Sequence, residues 1–296
     1  MHLLTDQPRT LRIRNTRTMA GAIALAFALC LTPGASPAQT PEAGSAVAAA
    51  AAAAPATGTG TGTADQTTGA TAATTLDPVA IEALKGMGNY LKSLQTFEVH
   101  SNATMEAALQ DTDLLVHLGY EGTYRVQRPN AFYVQLKSDR TVREYFYDGK
   151  SLTVNVPRQN LYATAAAPST IRQTVDKIYN DYGISLPLAD LFYWSESPMT
   201  DGITSAVRVG FARINGQETD QFVYRGEDLD WQVWIARGSA PLPLKIVITD
   251  RSQTLRPSYS AELTWNTSPK FSARDFTFTP DPKATSIKLA ALSGGQ

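Results

Sequence analysis

From residue 96 onward, apolar and polar side chains alternate with a period of two, and this alternation organises the chain. Within residues 228–250, Trp231, Val233 and Ile235 fall on one side of one run, and Leu244, Ile246 and Ile248 on one side of the next. A turn at residues 237–243 separates them, so the pattern predicts two half-buried strands joined as a hairpin in the middle of a large antiparallel sheet. Upstream, further strands are expected at residues 96–105, 114–120, 132–137, 141–147, 152–156 and 161–163. Arg128-Pro129-Asn130, Asp148-Gly149 and residues 157–160 supply the turns of a meander. Downstream of residue 205, strands are expected at 206–214 and 219–224 around the Asn215-Gly216 turn. Tyr259, Ala261, Leu263 and Trp265 mark another strand, and residues 284–289 a last short one.

The period changes twice. Asp77 suits a helix N-cap and Pro78 the first helical position, after which Val79, Leu84, Met87, Leu91 and Leu94 recur at helical spacing. Gly86 and Gly88 weaken that helix by about 1 kcal/mol each relative to alanine, and would allow it to lie close against a sheet. Ile171, Val175, Ile178 and Tyr179 predict a second helix stopped at Gly183, and residues 186–194 a third, short one. The insert 169–199, rich in Leu186, Leu188, Leu191, Phe192, Tyr193 and Trp194, is expected to form a helical plug or lid. The fold class is therefore mainly β (α+β): about eleven antiparallel strands curled around an apolar interior, with an N-terminal helix and the insert.

Composition divides the chain. Arg9, Arg12, Arg14 and Arg17 precede an apolar stretch at residues 19–31 and the small-residue site Ser36-Pro37-Ala38, so residues 1–38 read as a cleaved secretory signal. The apolar stretch is shorter than the roughly 20 residues of a spanning helix, and Pro33-Gly34 end it; no integral span is expected in the mature chain. Residues 39–76, largely Ala, Thr, Gly and Pro, have too little apolar surface to offset ordering and read as a disordered linker. Residues 77–290 form the folded domain and 291–296 a flexible tail. Cys30, the single cysteine, is preceded by Leu29 instead of a small residue, which argues against lipoprotein processing, and its loss with the signal leaves no disulfide or thiolate site. Without residues 1–38 the chain keeps 22 of its 26 Lys+Arg and 26 of its 27 Asp+Glu, a net charge of −4. No basic patch is visible, and nucleic acid is set aside.

The order helix, meander, helical insert, meander resembles the periplasmic lipoprotein carriers and their relatives, the LolA-like and LppX-like folds. More narrowly, the chain resembles a family of predicted periplasmic bacterial proteins placed in that superfamily. Three stretches carry the narrower likeness: Tyr147-Asp148-Gly149-Lys150-Ser151-Leu152 followed by Tyr162-Ala163, Asp230-Trp231-Gln232-Val233-Trp234-Ile235, and Pro241-Leu242-Pro243-Leu244-Lys245. Trp265, Phe271 and Phe276-Thr277-Phe278-Thr279-Pro280 are similar to the carriers' last strand and proline turn. The resemblance implies an open, half-closed barrel whose mouth is closed by helices and whose concave apolar face holds acyl chains. It brings no catalytic residues. The carriers' cargo-binding arginine on an inner strand is matched to no position in this chain.

Chemistry-bearing candidates are few. His100 and His117 lie on successive strands, and a hairpin turning near Leu109 would set them close together beside Glu98 or Glu121, as a metal or acid/base pair. Without a third ligand at a recognisable spacing, two exposed strand residues without chemistry are the simpler reading. Glu227-Asp228 and Asp230 read as a solvated loop rather than paired catalytic carboxylates. Serine-nucleophile elbows, phosphate loops and dinucleotide fingerprints are missing, so no cofactor is expected. Among the aromatic residues, Trp231, Trp234, Trp265, Tyr120, Tyr133, Tyr145, Phe132 and Phe192 either line a groove or form a solid core.

Together with the resemblance, these observations lead to an expectation of a non-enzymatic periplasmic protein binding a lipid or other apolar small molecule. Its expected lining is Phe132, Val134, Leu136, Trp231, Val233, Ile235, Leu244 and Ile246. The alternative is an envelope sensor whose groove or open edge strand receives a partner protein. A hydrolase would require His100 or His117, and no substrate suggests itself.

Overall fold

Asp77 and Pro78 begin the first helix as their chemistry requires. The Asp77 carboxylate accepts from Val79 N at 2.8 Å, and Pro78 fills the position whose N–H has no partner, starting α1 (Pro78–Ser93). The computed structural model describes residues 75–109, 112–189, 191 and 200–289 of the chain, so the expected signal and most of the expected linker lie outside the described residues. Ala80, Leu84, Met87 and Leu91 form the buried face of α1. Val79, expected on that face, lies in the first turn and is 56% exposed. Gly88 is buried as a close approach requires, whereas a side chain at Gly86 would meet open space.

Twelve strands follow among the described residues, against about eleven expected. They are β1 (Thr96–Ala108), β2 (Leu115–Gln127), β3 (Ala131–Lys137), β4 (Val142–Tyr147), β5 (Ser151–Val156) and β6 (Leu161–Ala166), then β7 (Ser205–Ile214), β8 (Gln217–Arg225), β9 (Leu229–Ala236), β10 (Pro243–Asp250), β11 (Ser258–Asn266) and β12 (Thr285–Ser286). The second helix, α2 (Ile171–Tyr182), ends where Gly183 takes a left-handed φ of 66°, as its sequence predicts. Of the expected third helix, residues 187–189 form a turn, and residues 190 and 192–199 lie outside the described residues.

All twelve strands belong to one sheet in the order β12-β6-β5-β4-β3-β2-β1-β11-β10-β9-β8-β7. Neighbouring strands run antiparallel except β12, which pairs parallel to β6. The sheet does not close: β7 and β12 are its two edges, which makes it an open half-barrel. Register puts one alternating set on a single face. Phe132 stands opposite Val126 and Tyr147, Val134 opposite Tyr124 and Tyr145, Val233 opposite Phe222 and Ile246, and Ile246 opposite Ala261. This face and the buried faces of both helices form one continuous hydrophobic core.

The helices are tied to opposite halves of the sheet. At its start, α1 is held by Asp77, whose N–H donates to Ala206 O at 2.9 Å, and by Tyr224, whose hydroxyl donates to Ala80 O at 2.8 Å. At its end, the Arg128 N–H donates to Gln95 O and its Nε to Leu94 O, at the Gln127 end of β2. Sixteen residues at 1.5 Å each span about 24 Å, so α1 crosses the concave face from β7 and β8 to β1 and β2. On the other half, the Ile171 N–H donates to Pro129 O, and the Tyr147 hydroxyl donates to Pro168 O at 2.6 Å.

Outside the barrel the polar half of the alternation is paired. Glu98 binds Arg125 Nε at 2.6 Å, Lys245 binds Glu262 at 3.0 Å, and Glu144 accepts from Tyr133, Gln135 and Asn155. The C-terminal segment folds back over this convex face, where Phe278 contacts the rings of Phe146 and Tyr162. That return brings residues 285–286 alongside β6 in the parallel sense.

Tyr224→Phe removes the buried hydrogen bond that pins the start of α1. A loss of about 1 kcal/mol, or about 2–4 °C in melting temperature, is expected in a thermal melt; an unchanged melt would mean that α1 is held by packing alone.

Candidate functional site

Seven of the eight expected lining residues are buried on the concave face. Phe132, Val134 and Val233 are fully buried, Trp231, Ile235, Leu244 and Ile246 nearly so, and Leu136 is half-buried. The two groups lie on different halves of the sheet. Phe132, Val134 and Leu136 are on β3, whereas the other five are on β9 and β10, with β2, β1 and β11 between. Trp231 stacks on Tyr224 at 4.2 Å between ring centroids, beneath the start of α1.

Not every aromatic candidate faces inward. Trp234 and Tyr133 are on the convex face, where Lys245 Nζ sits 5.7 Å from the Trp234 ring and the Tyr133 hydroxyl donates to Glu144 at 2.9 Å. Trp265 lies at the rim, its Nε1 donating to Pro243 O at 2.7 Å while its ring packs 5.7 Å from that of Phe97. Tyr120 and Tyr145 face the interior, and Phe192 lies outside the described residues.

The walls of the larger cavity come from residues that sequence reasoning did not single out. It has a volume of about 620 Å³, within the range of small-molecule sites, and opens between the start of α1 and strands β7 and β8. Pro78, Val79, Ala83 and Phe222 make its apolar walls, and Glu82, Arg208 and Asp220 its polar rim. Arg208 and Asp220 are joined at 2.7 Å, which fixes the rim. Phe222 is the link to the interior, because it stands directly opposite Val233 in the register of β8 and β9. The available signal was the alternation in residues 219–224, which places Phe222 and Tyr224 on one face. A second cavity, about 390 Å³, lies between the convex face and the returning C-terminal segment.

Deeper in, the concave face carries an unexpected group of hydroxyls. Ser101, Tyr120 and Tyr124 point inward from β1 and β2 with their side-chain oxygens buried; the Tyr124 hydroxyl meets Ser101 and the Tyr120 hydroxyl meets Tyr259, neither contact in full hydrogen-bond geometry. Their room comes from Gly122, which occupies the same face: a Cβ there would lie 2.5 Å from Ser101 Oγ and 3.0 Å from the Tyr124 hydroxyl. Burial pushes the phenols of Tyr120 and Tyr124 well above their ordinary range, so they stay protonated and neutral.

The remaining chemical candidates resolve into structure. His100 stands opposite Thr123 and His117 opposite Glu106, which places the imidazoles six rungs apart, about 20 Å along the hairpin. The expected proximity fails because β1 and β2 are longer than the alternation suggested and turn beyond Leu109. Each histidine meets a glutamate on the convex face, His100 with Glu98 at 3.0 Å and His117 with Glu106 at 3.6 Å. Among the described residues no cluster of metal-ligating side chains occurs. Asp230 is the hub of an arginine cluster, at 2.7 Å from Arg225, 3.1 Å from Arg251 and 3.4 Å from Arg256. Its hydrogen bonds from Arg225, with the charges of all three arginines, hold its carboxyl below the usual 3.8.

A group whose folded pKa is depressed contributes stability above its unfolded pKa, and that stability is lost as pH falls through the folded value. Asp230→Asn is therefore expected to lower the melting temperature near neutral pH. The gap to wild type should close between about pH 5 and about pH 2. A gap that stays constant across that window would assign the deficit to packing instead of charge.

No curated protein matches the sequence. Among solved structures, the lipoprotein LppX of Mycobacterium tuberculosis matches with 12% identity and a TM-score of 0.42, over 66% of this chain and 98% of that one. LprF of Mycobacterium bovis matches with 13% identity and a TM-score of 0.39, over 71% of this chain and all of that one. A LolA superfamily protein of Nitrosomonas europaea matches with 11% identity and a TM-score of 0.33, over 67% of this chain and 97% of that one. Among the described residues no helix is long and apolar enough to cross a membrane. Residues 80–290 match the model of the predicted periplasmic proteins DUF2092, and with that span covered the chain belongs to this periplasmic family.

Proposed function

We propose that this protein is a non-enzymatic periplasmic binding protein that holds a lipid, acyl chain or other apolar molecule against the concave face of its open sheet. The observation that carries the reading is the cavity of about 620 Å³ beside α1, whose wall residue Phe222 continues directly into the buried set through Val233. A chain entering there would meet Trp231, Val233, Ile235, Leu244 and Ile246, and, beyond the central strands, Phe132, Val134 and Leu136. Burial of apolar area at about 25 cal/mol per Å² supplies the driving force without any hydrogen bond. Deeper entry requires α1 to shift beyond its anchored first turn, where Gly86 and Gly88 lie. Residues 1–38 would direct export, with residues 39–76 as a spacer ahead of the domain.

A second reading rests on the β7 edge beyond Arg208, past the stretch that residues 75–77 already pair with. Strand β7 leaves Val207, Val209 and Phe211 exposed at 41%, 55% and 55%, beside a register shift between Arg208 and Gly210. Such an edge can receive a strand of a partner envelope protein. A binding protein of the first kind carries small apolar molecules through purification; one of the second kind carries a protein.

The entry is tested by filling it. Ala83→Phe places a ring in the cavity from a half-buried position on α1. Its affinity for a fluorescent fatty-acyl probe is expected to fall tenfold or more while the thermal melt is unchanged. Undiminished uptake by a folded variant would remove this cavity as the way in.

A further inference from the structure

Resting on the reading of the concave face as a binding site, we infer that the hydroxyls of Ser101, Tyr120 and Tyr124 form a neutral polar anchor for a carbonyl oxygen, the acyl ester group of the bound molecule. The placement is specific. Ser101 lies opposite Gly122, and Tyr120 opposite Ala103, so the hydroxyls gather around the central hairpin of β1 and β2. On either side the interior is apolar, with Leu263 opposite Ser101 on β11 and Val134 opposite Tyr124 on β3.

Gly122 shapes the anchor. Any side chain there would displace the Tyr124 ring, whose Cε2 would lie 2.7 Å from the new Cβ, and would crowd Ser101 Oγ at 2.5 Å. The two oxygens border the bare backbone of Gly122 without closing a hydrogen bond to each other in good geometry. Tyr120 approaches from the next rung, its ring stacked 6.2 Å from that of Tyr259. Contrast Tyr147 and Tyr224, also fully buried on this face, whose hydroxyls donate to Pro168 O and Ala80 O. Those two tyrosines find backbone acceptors, whereas Tyr124 and Tyr120 meet only other hydroxyls, of Ser101 and Tyr259.

The chemistry selects the ligand. Phenols held protonated by burial, with a serine, are neutral donors, and an ester or amide carbonyl is a neutral acceptor of matching demand. A carboxylate would have to leave water for a site of neutral hydroxyls, which is unfavourable beside the ester. On the same face, Arg143 stands in the row Ser101–Gly122–Leu136–Arg143, two strands from Gly122.

The test uses two probes of equal length delivered to the mature protein: the methyl ester of a pyrene-labelled dodecanoic acid, and dodecylpyrene. Wild type is expected to bind the ester about tenfold more tightly than the hydrocarbon. In Y120F/Y124F, and in the separate S101A variant, the hydrocarbon affinity should persist while the preference for the ester is reduced or lost. The melting temperature of the ligand-free Phe variant should fall by no more than about 4 °C, the cost of the imperfect Tyr124–Ser101 and Tyr120–Tyr259 contacts. No preference in wild type, a preference that survives in Y120F/Y124F, or a marked drop in that variant's melting temperature would each overturn the anchor alone. Failure of wild type to take up either probe would overturn the binding reading itself, and the anchor with it.

Discussion

A single sheet with one apolar face must cover that face, and this protein does so without closing the sheet or supplying a second one. Closure would join the edges by a ladder of hydrogen bonds; here β7 and β12 remain apart. The concave face is instead covered by α1, α2 and the residues after α2, with Leu186, Leu188 and Leu191 buried there. Everything about the site follows from this constraint. Where α1 begins, between β7 and β8, the cover is incomplete and a cavity opens. Where the helices lie flat, the same face is packed solid.

The polar ties show which parts of the cover are fixed. Asp77 uses both its backbone and its side chain, capping α1 at Val79 and reaching Ala206 O and Arg208 N on β7. Tyr224 adds a hydroxyl from below. The start of α1 is thereby anchored to the edge of the sheet, beside the opening that it borders. On the convex face, Glu98, Glu144, Asp230 and their partners hold the polar half of each strand in register. These ion pairs lie on the outer face, while the inner face is largely apolar, with a few hydroxyls and a charged rim of Glu82, Arg208 and Asp220 at the cavity.

Much of the fold was legible because alternation is a direct image of a two-faced sheet. The turns were legible too: Asn215 and Gly216 take φ of 49° and 80°, Gly149 takes 89°, and Gly183 ends α2 at 66°. The same periodicity placed Phe132, Val134, Trp231, Val233 and Ile246 on the inner face. It did not show how the inner face is covered, because that depends on where a helix lies, and Val79 at a core-like spacing proved exposed at the rim. It misjudged His100 and His117 because a pairing register needs the true hairpin length, and β1 runs to Ala108. Tyr133 and Trp234 fall outward by the same alternation that turns Phe132 and Trp231 inward, so grouping the aromatics by residue type mixed the two faces. Ser101 and Gly122 were silent for another reason: a small residue on an inner face is read as a gap in the pattern, whereas here the gap makes the room around Tyr124.

The central claim is that the concave face holds an apolar molecule, and native mass spectrometry of residues 39–296 prepared from periplasm without detergent tests it most directly. Solvent extraction would then identify what is released. The account predicts a stoichiometric adduct that extracts as an acyl compound. A clean ligand-free mass that stays unchanged when lipid is added would contradict it, and would make the packed interior a core and nothing more.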